Sequence, residues 1–168
     1  MNAAQGSSAE DIVLTFIKHW NAGEIEAGSR YLAPDFERHG EESDWAAIPR
    51  EHYILWWSSY AKAFPDARWD IIDIAAGEDT VAVRLRESGT FTAPWDLGHR
   101  IVQPVYKAYE GYGVLFFKVR DGLIRSYDYL GYGSHEKSLT NVCGDIFGDS
   151  SATLPDVVRA EQNRAPLS

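Results

Sequence analysis

Cysteine is almost absent from this chain of 168 residues, since Cys143 is the only one. A single cysteine forms neither an intramolecular disulfide nor a multi-cysteine metal site. The composition therefore favours a reducing compartment, and we interpret Cys143 as an inert thiol rather than a nucleophile.

Positive charge is also scarce. The chain carries 16 Lys and Arg residues against 25 Asp and Glu residues, which gives a net charge of −9. Nucleic acids and anionic membranes both require a basic surface on the protein that binds them. Neither is expected to be the main partner.

Long apolar runs and several catalytic signatures are missing as well. No stretch approaches the ~20 apolar residues of a transmembrane helix. The N-terminal sequence MNAAQGSSAED lacks the basic start and apolar core of a signal peptide, so we expect a cytoplasmic protein. The chain has no GxSxG turn for a nucleophilic serine, and no HxH or HExxH spacing, so no metal is expected.

Aromatic residues, in contrast, are plentiful, with six Trp, nine Tyr and seven Phe. Aromatic rings fill cores first, but they also line pockets for flat or polycyclic ligands. Each candidate wall residue is therefore open to both interpretations. The candidates for substrate contact are Trp20, Tyr53, Trp57, Trp95, His99 and Phe117. For His99 the alternative, a position in water at the surface, is favoured over contact with a polar substrate group.

Helical patterns come first along the chain. One helix begins with a capping box at Ser7 or Ser8 and ends at Gly23, and a short one spans 24–32. A third, with an unusually aromatic face, spans 49–64 and stops before Pro65. Residues 36–48, between the second and third helices, are predicted to form a loop. The predicted divisions of the chain are a disordered lead (1–8), one domain (9–133) and a C-terminal extension (134–168).

Strand patterns follow the helices. Residues 68–74 and 80–88 alternate as an antiparallel pair, and a long excursion containing Pro94 and Pro104 leads into a strand that we expect to be bulged. Helices followed by strands are typical of an α+β fold. We predict a curved antiparallel or mixed sheet wrapped around three N-terminal helices.

The clearest strand signal is a hairpin at Asp121-Gly122, a dipeptide typical of two-residue type I′ turns. With Arg120 opposite Leu123, an unbroken register places Leu115 opposite Asp128. One face of this ribbon then carries Leu115, Phe117, Val119, Ile124, Ser126, Asp128 and Leu130.

Asp128 is the only charged residue on that predicted face. A carboxylate among apolar side chains is costly to ionise, so its pKa tends to rise toward the range that is useful for proton transfer. We therefore hypothesise that Asp128 is a general acid/base at the floor of a cavity. The alternative is that it lies near a strand end and caps a loop or reaches solvent.

The order of these segments resembles the SnoaL-like polyketide cyclase branch of the nuclear transport factor 2-like superfamily. The resemblance rests on HWNAGEIEAGSRYLAPDFERHG (19–40), AFPDARWDIIDIAAGEDTVAVRLRESGTF (63–91), GHR (98–100) and DGLIRSYDYLG (121–131). It implies a conical α+β barrel, usually dimeric, with a deep pocket between the sheet and the helices. It also implies intramolecular aldol ring closure without a metal or an organic cofactor.

Two residues match the pocket of that family. Asp128 corresponds to the catalytic aspartate on the last strand, and His39 to a histidine that lines the pocket. We assign Asp128 as the base that removes a proton next to a carbonyl, and His39 as the acid or hydrogen-bond donor. For His39 the alternative is a loop histidine with one backbone hydrogen bond.

The favoured function is a cofactor-independent cyclase or isomerase that acts on a small polyketide-like or otherwise polycyclic substrate, as a homodimer. A second interpretation as an enzyme is a dehydratase or an epoxide hydrolase. For epoxide opening, which in related folds uses two carboxylates and an arginine, Asp73 with Arg84 or Arg86 would supplement Asp128. The third is a small-molecule-binding or dimerisation module without catalysis, because a fold does not determine a function.

Overall fold

The computed structural model describes residues 7–40, 45–97, 101–132 and 139. Three helices precede most of the strands, as expected. They are α1 (Ala9–Ala22), α2 (Ile25–Ser29) and α3 (Arg50–Ala63). The strands are β1 (Leu32–Gly40), β2 (Ile48–Pro49), β3 (Arg68–Ala76), β4 (Thr80–Thr90), β5 (Trp95–Asp96), β6 (Ile101–Val102), β7 (Ala108–Arg120) and β8 (Leu123–Gly131).

Helix α1 begins and ends where its sequence predicts. The side chain of Ser8 accepts a hydrogen bond from the Asp11 amide, and the Asp11 carboxylate accepts one from the Ser8 amide, so the capping box is confirmed. Gly23 ends the helix at a φ of 67°, a backbone conformation that glycine adopts without strain. Within the described ranges, no helix has the length and apolar character needed to cross a bilayer.

The large sheet has six strands in the order β2-β1-β8-β7-β4-β3. Strands β1 and β8 run parallel, and the other neighbouring pairs are antiparallel. The sheet curves around the helices, and its inner face packs on α1 and α3. The α+β class with a mixed curved sheet is therefore confirmed.

Strand β1 corrects the loop that we predicted over residues 36–48. Leu32–Gly40 is extended, and Phe36 and Arg38 point inward while Glu37 points outward. Its main partner is β8, which lies more than 80 residues further along the chain. Pro34 and Asp35 interrupt the alternation of apolar and polar residues that would indicate a strand in the sequence. The strand forms because it pairs with the distant β8.

The segment before β7 also differs in part from the prediction. The excursion is present, since the described residues of this segment, 91–97 and 101–107, form only the two-residue strands β5 and β6. The bulge that we expected in the next strand is absent. Strand β7 pairs with β4 residue for residue from Ala108 to Lys118.

A bulge lies instead in β8, and it corrects the predicted hairpin register. Arg120 pairs with Leu123 and Val119 with Ile124 as predicted, but Lys118 then pairs with Ser126. Arg125 is the extra residue. Because side chains alternate with a period of two, one extra residue moves every later side chain to the opposite face.

Arg125 is held in this bulge by two carboxylates. Its guanidinium donates to Asp35 on β1 at 2.7 Å and to Asp121 in the turn at 3.2 Å. Beyond the bulge, Tyr127 and Tyr129 therefore face inward, and Asp128 faces outward beside Phe116.

The interior between the helices and the sheet is filled largely by aromatic rings. Trp20 on α1 stacks on Trp69 of β3 with ring centroids 3.8 Å apart. Leu139, in the predicted C-terminal extension, is partly buried against this core. The predicted disordered lead lies outside the described residues except for Ser7 and Ser8.

Candidate functional site

His39 and Asp128 are adjacent, but on the outer face of the sheet. They are register partners across β1 and β8, and His39 Nδ1 lies 3.4 Å from Asp128 Oδ1. Glu37 approaches the other ring nitrogen at 3.6 Å. The side chains of His39 and Asp128 are 27% and 41% exposed. The prediction that Asp128 lies on an apolar inner face is therefore wrong. Its catalytic role stays a prediction.

Five of the six predicted substrate contacts are core residues, at most 3% exposed. They pack against one another and against neighbouring rings. The ring centroids of Phe117 and Phe16, for example, are 6.1 Å apart. Their role in substrate binding stays a prediction. These residues are Trp20, Tyr53, Trp57, Trp95 and Phe117, and the sixth, His99, lies outside the described residues.

A different carboxylate occupies the inner face. Glu87 on β4 continues the inward series of Val81, Val83 and Leu85, and its Oε1 accepts a hydrogen bond of 2.7 Å from the Tyr129 hydroxyl. Burial raises the pKa of Glu87, whereas the bond from Tyr129 and the charge of Arg38 act in the opposite direction. The residue keeps partial solvent access, so a ligand could reach it.

Arg38 brings a positive charge to the same interior. The residue is 6% exposed, and its guanidinium carbon lies 5.6 to 5.8 Å from the ring centroids of Trp56, Tyr127 and Tyr129. The faces of aromatic rings attract a cation, and this attraction strengthens when water is excluded. Three rings therefore help to hold the guanidinium inside the protein.

Phenol hydroxyls complete the inner cluster. Tyr60 on α3 and Tyr109 on β7 are hydrogen-bonded through their hydroxyls. Burial raises the pKa of Tyr129 and of Tyr109, so both phenols stay neutral hydrogen-bond donors at ordinary pH. The indole nitrogen of Trp56 is buried without a hydrogen-bond acceptor in the described part of the chain, and it remains available to a ligand oxygen or a water.

Sequence reasoning missed this cluster for separate reasons. The alternation that places Val81, Val83 and Leu85 on one face also predicts an inward Glu87, so that signal was present in the sequence. Tyr129 faces inward only because of the bulge in β8, and Arg38 only because β1 is a strand.

The inner cluster has the parts of an acid/base site. A carboxyl group of raised pKa can take or return a proton, and neutral phenols with a nearby cation can stabilise a developing oxyanion. Among the described residues, no three or more His, Cys, Asp or Glu side chains are grouped as metal ligands would be. The groups that the structure brings together here are Arg38, Tyr60, Glu87, Tyr109 and Tyr129.

The raised pKa of Glu87 predicts a pH-dependent gain of stability in the Glu87→Gln variant. A carboxyl group whose pKa is higher in the folded than in the unfolded protein favours folding while it is protonated. That contribution is lost as the pH rises above 4.5, the ordinary glutamate value, toward the folded value. Glutamine cannot ionise, yet its amide oxygen still accepts from Tyr129.

Melting curves below pH ~4 and near pH 7 measure this effect. We expect the variant to melt at a higher temperature than wild type near neutral pH and at a similar temperature in acid. A variant that is no more stable than wild type near neutral pH would contradict the raised pKa.

Comparisons with known proteins agree with this architecture. A sequence profile of the SnoaL-like domain family matches residues 13–127, more than half of the chain. A search of curated proteins found no match.

Several solved structures share the fold. AclR from Streptomyces galilaeus, a proposed hydroxylase, is 20% identical, with a TM-score of 0.65 over 79% of this chain and 92% of its own. A proposed SnoaL-like polyketide cyclase from Jannaschia sp. CCS1 is 18% identical, with a TM-score of 0.64 over 78% and 90%. IdmH from Streptomyces antibioticus, a proposed polyketide cyclase, is 23% identical, with a TM-score of 0.61 over 74% and 92%. The resemblance seen in the sequence is confirmed, and the chain belongs to the SnoaL-like family.

Proposed function

We propose that this protein is a cofactor-independent cyclase or isomerase in which Glu87 transfers the proton. One observation carries the proposal: an inward-facing carboxyl group of raised pKa is hydrogen-bonded at 2.7 Å to an inward-facing phenol, Tyr129. The fold relatives described as proposed polyketide cyclases support the reaction class.

The proposed reaction begins with enolisation. The ionised Glu87 takes a proton from a carbon next to a carbonyl. The electron pair of that C–H bond forms a C=C bond, and the π electron pair of the carbonyl moves onto its oxygen. The indole N–H of Trp56 donates a hydrogen bond to this oxygen, and the charge of Arg38 favours it, while the single hydroxyl proton of Tyr129 remains in the bond to Glu87. Because burial raises the pKa of Glu87, its carboxylate is a stronger base than an exposed glutamate.

Ring closure then needs no further reagent. The enolate carbon attacks a second carbonyl of the same molecule, and the new alkoxide takes the proton back from Glu87, so the product is an isomer of the substrate. Holding one flexible molecule in the reactive shape supplies much of the rate enhancement. The proposed substrate is small and hydrophobic or polycyclic, because flat rings pack on Trp and Tyr side chains such as those around Arg38.

The pair of His39 and Asp128 is the rival acid/base group. Both residues match the family pattern in sequence, and their side chains approach each other at 3.4 Å. Their outward position deprives them of the low-dielectric setting that makes Glu87 the better candidate. Substitution of each carboxylate in turn separates the two assignments.

The residues that would support an epoxide hydrolase lie on the outer face of the sheet, away from Glu87. Asp73 pairs with Arg84 on the outer face, where Arg84 Nε donates to the Asp73 carboxylate at 2.7 Å. Both side chains are about half exposed or more. Dehydration remains compatible with Glu87, because loss of water from an aldol product uses the same proton transfers.

Mass spectrometry of the native host tests the reaction class. Extracts are compared from the intact strain, a strain in which the gene is deleted, and the deletion strain complemented with the wild-type gene. We expect deletion to accumulate a compound isomeric with the lost product, or one water heavier if dehydration follows. A product heavier by one oxygen would instead indicate hydroxylation, the activity proposed for AclR. Unchanged extracts would refute an enzymatic role in that host.

We further propose that the protein forms a homodimer through the outer face of the sheet. Phe116, Leu130 and Tyr132 are each about 40% exposed there. They are flanked by ion pairs such as Arg84 with Asp73, so the face offers apolar contacts and charges of both signs to a second copy.

Sedimentation analysis tests the dimer with one variant on this face. The Phe116→Asp variant is expected to be a monomer, because an aspartate buried in the interface would have no partner. Leu55→Asp on α3 is the matched control, since Leu55 is exposed away from the sheet. A wild-type monomer, or a dimeric Phe116→Asp variant, would contradict the proposal.

A further inference from the structure

Two inward positions of β7 beside Glu87 and Tyr129 lack side chains. Gly111 is the register partner of Glu87 on β4, and Gly113 is the register partner of Gly131 on β8. Neither Gly111 nor Gly113 has a positive φ, so the backbone at these positions accommodates any L-residue. Glycine is instead required by the side chains that lie directly above these two positions of the strand.

The space above Gly111 is occupied by Glu87. A Cβ atom added to Gly111 would lie 2.9 Å from Glu87 Oε1 and 3.1 Å from Glu87 Cγ. The glutamate side chain therefore lies flat across the glycine. Its Oε1 is the atom that accepts the hydrogen bond from Tyr129.

The space above Gly113 is occupied by Tyr129. A Cβ atom on Gly113 would lie 2.7 Å from Tyr129 Cε2 and 3.1 Å from the Tyr129 hydroxyl oxygen. The phenol ring lies across this glycine with its hydroxyl directed to Glu87. Two adjacent inward glycines thus accommodate the two ends of one hydrogen bond.

We propose that Gly111 and Gly113 are positioning residues, which hold the Glu87 carboxyl group and the Tyr129 hydroxyl in their reactive arrangement. This inference rests on the proposed function of Glu87. Glycine weakens a strand interior relative to alanine. Here it leaves room for two polar side chains to lie flat on the sheet and meet.

The Gly111→Ala variant tests the proposal with little risk to the fold, because the atom that must move is the end of a flexible side chain. Gly131→Ala is the matched control on the same face. Its added Cβ would be no closer than 3.7 Å to Tyr129, which is ordinary contact. Gly113→Ala is the second variant, which displaces the phenol instead of the carboxyl group.

The first readout requires no substrate. The protein is labelled with glutamate carrying ¹³C at the carboxyl carbon, the Glu87 signal is assigned by its absence in Glu87→Gln, and its pKa is measured by titration. We expect a higher pKa in Gly111→Ala and in Gly113→Ala than in wild type. Both changes are expected to break the hydrogen bond from Tyr129. That bond lowers the pKa of Glu87, so its loss raises the pKa. Gly131→Ala is expected to match wild type.

The second readout is turnover of the compound that accumulates in the deletion strain. A displacement of about 1 Å at a reactive group costs about 100-fold in rate. We expect kcat of Gly111→Ala to fall by about that factor with a smaller change in KM, and the acidic limb of its pH profile to move to higher pH.

The outcomes separate this inference from the proposed function. If Glu87→Gln keeps full turnover, the proposed role of Glu87 is wrong. If Glu87→Gln is inactive while Gly111→Ala and Gly113→Ala match Gly131→Ala in both pKa and turnover, the glycines do not position the site.

Discussion

Glu87→Gln is expected to reduce turnover of the accumulated compound by about 10²- to 10⁴-fold, the usual contribution of a general acid/base. Glutamine has nearly the shape of glutamate and keeps the hydrogen bond from Tyr129, so the change removes the proton-transfer function and little else. Asp128→Asn, the same substitution on the outer face, is expected to keep most of the activity. The measurement is kcat/KM of the purified variants.

The pH dependence of wild-type kcat/KM provides an independent check. Glu87 must be ionised to act as a base, so activity should rise with pH through its pKa, which burial places above the ordinary 4.5. Glu110→Gln, on the outer face of β7, is the control for the loss of one carboxylate. The assignment is wrong if Asp128→Asn abolishes turnover while Glu87→Gln retains it, and His39 with Asp128 would then be the acid/base pair.

Trp57→Ala is expected to destabilise the fold by about 3–5 kcal/mol, the usual cost of deleting a large buried ring. Trp57 is 1% exposed. Its ring packs edge-on against the ring of Phe16 on α1, with centroids 5.7 Å apart. A Cβ atom added to Gly28 of α2 would lie 2.5 Å from the same Trp57 ring. One side chain thus joins all three helices. Because domains are stable by about 5–15 kcal/mol, this loss would remove a large part of the free energy of unfolding.

Urea denaturation measures this loss as a shift of the unfolding midpoint. Leu55→Ala on the same helix is the control, since Leu55 is 59% exposed and exposed sites usually change stability by less than about 0.5 kcal/mol. A Trp57→Ala variant as stable as Leu55→Ala, but weaker in substrate binding, would show that the ring faces the ligand instead of the core.

The signals that sequence reasoning used correctly are local. The capping box at Ser8, the breaks at Gly23 and Pro65, and the Asp121-Gly122 turn each depend on residues a few positions apart. They were enough to predict three helices, the main hairpin and the α+β class. The order of these elements also identified the family.

The candidate site depended on interactions that span the chain. The bulge at Arg125 is held partly by Asp35, which lies 90 residues earlier in the chain. Because of the bulge, Tyr129 lies on the inner face in place of Asp128. Strand β1 carries Arg38 inward because it pairs with β8.

The sequence by itself determined the elements, the turn and the inward alternation of β4 that includes Glu87, because these follow from local propensity and from periods of two and 3.6 residues. Only the tertiary structure decided which tyrosine meets Glu87 and which carboxylate stays outside. A single inserted residue reverses the two faces of a strand, and its position is set by partners that no local pattern reveals.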